Sequence, residues 1–290
     1  MKLAHVINPV KVDEDRDLYW QQPIVFETIN TAYYFACNKP DLEVDVFTVG
    51  YPEDADVCRE FIKLPDLTRS SSDLNYSPER KLPYFKDILD SVYNATDADY
   101  IIQTNADICV QPYFYTLIHS LIQEGHESFV ISKRILPEID LFKTTAGIPI
   151  MYSGIGKPHN GHDCFVFPRK DYKRFKIGDI LTGTPWSEAT IMFNMIAVCD
   201  NFAEFMNAHA TFHIGDRRIW LPKSHNDYRI HNTNIVGKVL RTLVRRKNGN
   251  KLYKHDTIRK YIGKIQAEVL GYKDKRYNTD CKYFAKRGNK

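Results

Sequence analysis

The chain has 290 residues, of which 43% are hydrophobic and 26% charged, and its formal net charge is +4. This length is enough to bury a substantial core, and the composition is typical of soluble globular proteins. No apolar run reaches the length of a membrane span and residues 1–9 lack the regions of a signal peptide, so we expect a cytoplasmic protein that neither spans a membrane nor is secreted.

Strands and helices are predicted to alternate along most of the chain. Apolar spacing and β-branched residues predict, in order, a strand at 2–10, a helix at 22–39, a strand at 42–51, a short helix at 52–64, a helix at 84–96, strands ending at 104 and 136, a short strand within 161–172, a helix at 186–202 and a strand with a loop at 204–216. A Ser-rich loop lies at 68–83. This alternation is typical of an α/β domain with a mostly parallel sheet.

The last 55 residues differ from the rest in charge. Residues 236–290 hold 17 Lys plus Arg against 4 Asp plus Glu, a net charge of +13, which leaves 23 against 32, or −9, for residues 1–235. Apolar residues three or four apart with cations between them predict a basic helical appendage at 236–290, after a catalytic domain at 1–235. An anionic membrane surface is favoured as its partner over nucleic acid, and a solvated helical face or a protein partner is the alternative.

The six cysteines carry no pattern of metal or disulfide chemistry. They are scattered along the chain without paired short spacings. We therefore predict reduced thiols, with neither a zinc site nor a disulfide framework.

Asn105 and Asp107 directly follow the apolar strand that ends at Thr104. Ligands of a parallel α/β sheet bind outside the carboxyl ends of its strands. A carboxylate fixed there can ligate a divalent cation that keeps open positions for phosphate oxygens. The alternative is that Asp107 only caps the helix that follows.

The segment TNAD, residues 104–107, between DADYII and ICVQPYF, resembles the metal-binding motif of nucleotide-sugar-dependent glycosyltransferases of the GT-A fold, such as the family-2-like enzymes of bacterial polysaccharide synthesis. The resemblance implies the GT-A fold, a mostly parallel sheet flanked by helices, over roughly residues 2–235. It also implies Mn²⁺ or Mg²⁺ on Asp107. Asn105 stands where the family often has a first acid, so it is carried over only as a substrate contact.

Other segments resemble the same family in the same order. The implied substrate contacts are Asn8, Pro9 and Val10 for the nucleobase, Arg80 and Lys81 for the diphosphate or base, His162 with Asp163 for the sugar pocket, and Trp186 for stacking on a sugar. His213 is the implied second metal ligand, and Arg217 and Arg218 follow it as phosphate contacts. An ordinary Asn-Pro turn, exposed loop cations, a capped strand and a buried or surface histidine are the plainer alternatives.

The implied reaction moves a sugar from a nucleoside diphosphate sugar to a saccharide or lipid-linked acceptor. Glu188 or Asp163 would deprotonate the acceptor hydroxyl, or Glu188 would only stabilise the start of its helix. An inverting and a retaining outcome both stay open. Two other classes compete: a nucleotidyltransferase, although INPVKVDEDRD lacks the usual glycine-rich loop, and a non-catalytic carbohydrate- or nucleotide-binding protein.

Overall fold

The computed structural model describes residues 1–159, 161–216, 226–246, 249–271 and 275–282. The chain divides into two compact units. The first unit comprises Met1–Thr68, Ile88–Tyr172 and Asn201–Arg217, and the second comprises Arg69–Asp87, Lys173–Asp200 and Arg218–Lys290.

Most of the predicted elements are present. The strands are β1 (Lys2–Ile7), β2 (Glu43–Thr48), β3 (Ile62–Lys63), β4 (Tyr100–Thr104), β5 (Cys109–Val110), β6 (Ser128–Ile131), β7 (Arg134–Leu136), β8 (Lys157–Pro158), β9 (Cys164–Pro168), β10 (Phe202–Phe205) and β11 (Thr211–Ile214). The helices are α1 (Asp17–Ala36), α2 (Phe85–Ala95), α3 (Phe114–Gln123), α4 (Ile148–Ser153), α5 (Arg169–Tyr172), α6 (Ser187–Val198), α7 (Asn226–Val244), α8 (Asn250–Lys254) and α9 (Asp256–Gly271). In the described ranges no helix combines the length and apolarity needed to cross a bilayer.

A seven-stranded sheet in the order β10-β6-β9-β4-β1-β2-β3 forms the frame of the first unit. Its strands pair in parallel except β9, which runs antiparallel to both β4 and β6. Every residue of β6 and β9 is buried, as are five of the six in β1. Continuous apolar strands of this kind are covered on both faces, which confirms the predicted mostly parallel sheet.

A second sheet in the order β5-β11-β7-β8 lies in the same unit. The chain passes from the first sheet to the second at three places, between β4 and β5, between β6 and β7 and between β10 and β11. The strand predicted to end at residue 136 is therefore broken into two. Ser132 fixes the break, because its backbone N–H donates to the Phe205 carbonyl over 3.0 Å and its hydroxyl donates to the Gly161 carbonyl over 2.7 Å.

The helix predicted at 52–64 is wrong. Only a 3-10 turn, Pro52–Asp54, forms there, and Ile62–Lys63 pairs with β2 instead. The Asp54 carboxylate accepts the backbone N–H groups of Tyr51 and Lys11 over 2.9 and 2.8 Å. A short acidic side chain that binds nearby backbone in this way competes with helix formation.

The second unit combines three stretches that lie far apart in the sequence, so it differs from the predicted C-terminal appendage. The predicted boundary at residue 235 falls inside α7. Asn232 on this helix is fully buried, accepts the backbone N–H of Leu181 over 2.9 Å, and donates to the carbonyls of Leu181 and Pro185 over 2.8 and 2.9 Å. These bonds tie α7 to the stretch that starts at Lys173, so residues 236–290 do not form a separate piece.

His5 is a fully buried histidine that joins three elements beneath the carboxyl end of β4. One ring nitrogen bonds the Tyr115 hydroxyl on α3 over 2.8 Å, and the other bonds the Thr104 hydroxyl at the end of β4 over 2.8 Å. Burial lowers the pKa of His5 from 6.5 to about 3. The neutral ring therefore acts as a polar brace in the core.

Replacing His5 by Gln should flatten the dependence of the unfolding free energy on pH. Below pH 6.5 the unfolded chain protonates this imidazole while the folded chain does not, so native stability falls as pH decreases from 6.5 towards 3. The His5 contribution is at most about 1.4 kcal/mol per pH unit in that window. Urea unfolding at pH 7, 6 and 5 measures it. His126→Gln, which removes a half-buried imidazole of the same unit, is the control, and an equal slope in both variants would contradict the assignment.

Candidate functional site

Asp107 lies at the carboxyl edge of the large sheet, where the chain leaves β4 for β5. The turn is closed by a hydrogen bond from the Ile108 N–H to the Asn105 carbonyl over 3.1 Å. Asn105 is half-buried, and its side-chain oxygen accepts from Gln103 over 3.4 Å. The predicted position of both residues at a strand end is therefore present, and their backbone is held by a rigid sheet.

His213 contacts Asp107 because β11 pairs with β5. Phe212 lies opposite Cys109 in this antiparallel contact, and the next residue along β11 reaches the turn before β5. The His213 Nε2 atom is 3.2 Å from Asp107 Oδ2, and its Nδ1 is 2.7 Å from the Gly215 carbonyl. With Nδ1–H donating to that carbonyl, Nε2 is the ring nitrogen that faces Asp107 and that could bind a metal after loss of its proton.

The carboxyl of Asp107 is held ionised. Burial by itself would raise its pKa, but the hydrogen bond and charge of His213, together with the charge of Lys133, hold the pKa well below its usual value. Its Oδ1 atom is buried and has no hydrogen-bond donor among the described residues. A buried carboxylate oxygen without a donor is costly unless something else binds it.

This donor set fits a manganese or magnesium ion. A carboxylate oxygen suits both ions and an imidazole nitrogen suits transition metals. A cation between Asp107 Oδ2 and His213 Nε2 would take the place of the Nε2 proton that otherwise joins these two atoms. In the described ranges no cluster of three or more His, Cys, Asp or Glu side chains could hold a metal. Two protein ligands leave most of the coordination sphere for water and phosphate oxygens.

A second buried polar group lies just before β9, at the same edge of the sheet. Cys164, the first residue of β9, pairs with Thr104 of β4 and Ile131 of β6. Asp163 is 7% exposed, and its Oδ1 lies 3.1 Å from the Lys133 ammonium. His162 is buried beside it and lies 2.9 Å from Glu204 Oε2. The predicted pair at 162 and 163 is thus enclosed in a network of charged partners.

Asn8, Pro9 and Val10 follow β1 at this edge. The Asn8 amide donates to the Val49 carbonyl over 2.6 Å, and Val10 exchanges two backbone bonds of 2.8 Å with the Gln22 side chain. Pro9 lines a small pocket with Thr48 of β2, Gly50, Tyr51 and Asp54 of the turn after it, and Lys63 of β3. The nucleobase contact stays a prediction.

The remaining predicted residues lie in the second unit. Arg80 donates its backbone N–H to the Tyr228 hydroxyl over 2.8 Å and accepts from the Ser71 hydroxyl through its carbonyl, while Lys81 is exposed. These bonds fix the backbone of the loop that carries both cations, and their role at a phosphate stays a prediction.

Trp186 and Glu188 begin α6 in the same unit. Trp186 is 8% exposed in a left-handed conformation, its ring centroid is 6.1 Å from that of Tyr261, and its indole N–H has no acceptor among the described residues. Glu188 is half-buried and accepts from the Ser187 hydroxyl over 2.8 Å. Stacking by Trp186 and proton abstraction by Glu188 stay predictions, and Arg217 and Arg218 lie outside the described residues.

Lys133 and Glu204 were not predicted from the sequence. Lys133 stands in the run SFVISKRIL, and a charged pair inside an apolar strand was a signal that the strand is broken there. Glu204 lies on β10, whose residues are all half-buried, and no pattern in the sequence singles it out.

Similarity to known proteins is found at the level of the fold and not of the sequence. No protein-family model matches the chain, and no curated protein matches it. Among solved structures, residues 1–349 of S. aureus TarS in complex with UDP-GlcNAc match with a TM-score of 0.51 and 8% identity, over 87% of this chain and 70% of that one. This chain has the GT-A fold.

A second GT-A-like match is glucosyl-3-phosphoglycerate synthase from Mycobacterium tuberculosis, in complex with Mn²⁺, UDP and phosphoglyceric acid. Its TM-score is 0.46 and its identity 13%, over 83% of this chain and 78% of that one. Both identities are too low to carry residue roles across, so the roles in this GT-A chain depend on its own geometry.

Replacing Asp107 by Asn, or His213 by Gln, should weaken Mn²⁺ binding. Each change removes one of the two protein ligands while keeping the size of the side chain, and we expect the dissociation constant to rise by roughly tenfold or more. Electron paramagnetic resonance of free Mn²⁺ measures it without any substrate. Asp97→Asn, an exposed carboxylate before β4, is the control, and wild-type affinity in either site variant would contradict the ligand assignment.

Proposed function

We propose that the chain is a glycosyltransferase that moves a sugar from a nucleoside diphosphate sugar to a saccharide or lipid-linked acceptor, with the help of a divalent cation. The observation that carries the proposal is the contact of Asp107 with His213 at the carboxyl edge of a GT-A sheet. A uridine nucleotide is the first donor to test, since the structurally similar TarS was crystallised with UDP-GlcNAc.

The reaction builds negative charge on the departing diphosphate and positive charge at the anomeric carbon. A divalent cation, when bound, neutralises the charge of the leaving diphosphate. Asp107 and His213 would hold it, and Asp107 is suited to this task because its carboxyl stays ionised. The turn after β1 and the pocket lined by Pro9 would receive the base, at the end of the adjacent strand.

The two candidate bases have different environments. Burial alone would raise the pKa of Asp163, but the nearby charge of Lys133 keeps it below its ordinary value. A carboxylate with a lowered pKa is a weak base, whereas it accepts hydrogen bonds from hydroxyl groups well. Asp163 is therefore proposed to bind sugar hydroxyls. Glu188 is the proposed acceptor base of an inverting reaction, and a retaining reaction would need none.

Replacing Asp107 by Ala should abolish turnover of the donor while the protein stays folded. Loss of a principal charge-stabilising contact should lower the rate by at least about 100-fold. The measurement is release of UDP from a panel of UDP-sugars with saccharide acceptors, at saturating Mn²⁺, with circular dichroism to check the fold. Asp97→Ala is the matched control.

Two results would oppose the proposal in different ways. Turnover at the wild-type rate by Asp107→Ala would reject the role of this carboxylate. Tight UDP-sugar binding by the wild-type chain, with no transfer or hydrolysis under any metal condition, would favour the non-catalytic binding protein.

We also propose that the basic C-terminal helices contact an anionic membrane surface. Lys254, Lys260 and Lys264 are exposed on α8 and α9. On α9 the apolar residues Ile258 and Ile265 are fully buried, so this face of the helix is not available to insert into lipid. Binding should therefore be electrostatic and weakened by salt.

Changing Lys254, Lys260 and Lys264 together to Gln should reduce flotation with phosphatidylserine vesicles. Each cation near such a surface contributes about 1 kcal/mol, so the loss should exceed tenfold at low salt. The full chain is used, because removing residues 236–290 would cut α7. Changing Lys11, Lys39 and Lys170 to Gln removes the same charge elsewhere, and equal flotation of both triple variants would contradict this surface.

A further inference from the structure

We propose that Lys133 is a positioning residue that directs the Asp163 carboxylate towards the donor sugar. Its ammonium holds one carboxylate oxygen of Asp163, and the other oxygen is left to accept hydroxyl groups of the sugar. This inference rests on the proposed glycosyl transfer from a nucleotide sugar.

The position of Lys133 is fixed by the residues on either side of it. Ser132 bonds the Phe205 and Gly161 carbonyls at the break between the two sheets. Arg134 is 8% exposed, and its guanidinium donates to the carbonyls of Ile155 and Gly156 over 2.9 and 2.8 Å. With both neighbours bonded in this way, the Lys133 backbone is constrained at the crossing point.

The Lys133 side chain is enclosed, with 14% of its surface exposed, and its ammonium lies 3.1 Å from Asp163 Oδ1. A buried ammonium is stable only beside such a partner. Because β9 starts at the next residue, Asp163 itself has little backbone freedom. The ion pair therefore joins two fixed points of the sheet edge and sets the direction of the carboxylate.

The other oxygen of Asp163 lacks a donor. Oδ2 is buried and has no hydrogen-bond partner among the described residues. His159 Nδ1 lies 3.5 Å from it, but this nitrogen accepts the Gly161 N–H over 3.0 Å, so in the neutral ring it carries a lone pair and not a proton. A ligand that brings hydroxyl donors, as a hexose does, would satisfy this atom.

Lys133 should therefore strengthen binding of the sugar without contributing to binding of the cation by Asp107 and His213. A residue that only maintained the structure would strengthen both, so the difference between the two effects identifies the role.

The test uses the full chain with Lys133→Met, Lys133→Arg and Lys170→Met. Lys170 forms an exposed ion pair with Glu127 over 3.2 Å in the same unit, so its change controls for the loss of a lysine. Calorimetry at saturating Mn²⁺ gives the affinities for UDP and for UDP-glucose, UDP-galactose, UDP-GlcNAc and UDP-GalNAc. Electron paramagnetic resonance gives the Mn²⁺ affinity without nucleotide.

The sugar advantage is the ratio of the affinity for the tightest-binding UDP-sugar to the affinity for UDP. In Lys133→Met we expect this ratio to fall about tenfold, since one charge-assisted hydrogen bond contributes a factor of that size. The Mn²⁺ affinity should not fall, because Lys133 is bound to Asp163 and is not a ligand of the cation. Lys133→Arg should keep most of the sugar advantage, and Lys170→Met should match the wild type in both measurements.

Several results would overturn the inference. The inference fails if Lys133→Met keeps its sugar advantage, or if it loses Mn²⁺ and sugar affinity equally. It also fails if no UDP-sugar binds the wild type better than UDP does. Absence of UDP binding by the wild type would instead reject the proposed function for a uridine donor. If Lys133→Met does not fold, Asp163→Asn serves in its place, and an unchanged sugar advantage there counts against the inference equally.

Discussion

Phe212 pairs with Cys109 across β11 and β5, and this short antiparallel contact brings the imidazole of His213 to a carboxylate fixed much earlier in the chain. The contact is stabilised around its edges. The Gln111 N–H donates to the Ala210 carbonyl over 2.9 Å, and the Val110 N–H donates to the Thr28 hydroxyl over 3.2 Å. The candidate metal ligands therefore depend on backbone pairing and not on the flexibility of either side chain, which gives the preorganisation that electrostatic catalysis needs.

The buried carboxylates Asp107 and Asp163 differ from the buried imidazole of His5 in what they leave unpaired. His5 uses both ring nitrogens on protein partners, as a structural histidine does. Asp107 and Asp163 each keep one buried carboxylate oxygen without a donor in the described part of the chain. Each unpaired oxygen lowers the stability of the ligand-free protein, because it has lost its water without gaining a hydrogen bond. A bound cation or hydroxyl group would remove this cost.

Much of the α/β alternation could be predicted from the sequence, because buried parallel strands are continuous apolar runs and the position of Asp107 after such a run is visible directly. The helix at 52–64 could not be excluded, since one of the two backbone N–H groups that Asp54 accepts belongs to Lys11, which lies far away in the sequence. Lys133 was equally hidden, because its role follows from the crossing between two sheets. The second unit joins stretches that only folding brings together, so a boundary drawn from the change in charge falls inside a helix.

The antiparallel direction of β9 has a consequence for how such a chain can diversify. In a parallel sheet every strand exits at the ligand edge, and the residues there are followed by connections that must return to the other side. Strand β9 instead starts at that edge, so Asp163 belongs to the segment between β7 and β9. Asp107 belongs to a different segment, the turn after β4. On the roles proposed for Asp163 and Asp107, insertions or exchanges upstream of residue 163 would alter what meets the transferred group and leave the strand before the cation ligand intact. Selectivity for the transferred group and retention of the nucleotide would then be encoded in separate stretches of sequence.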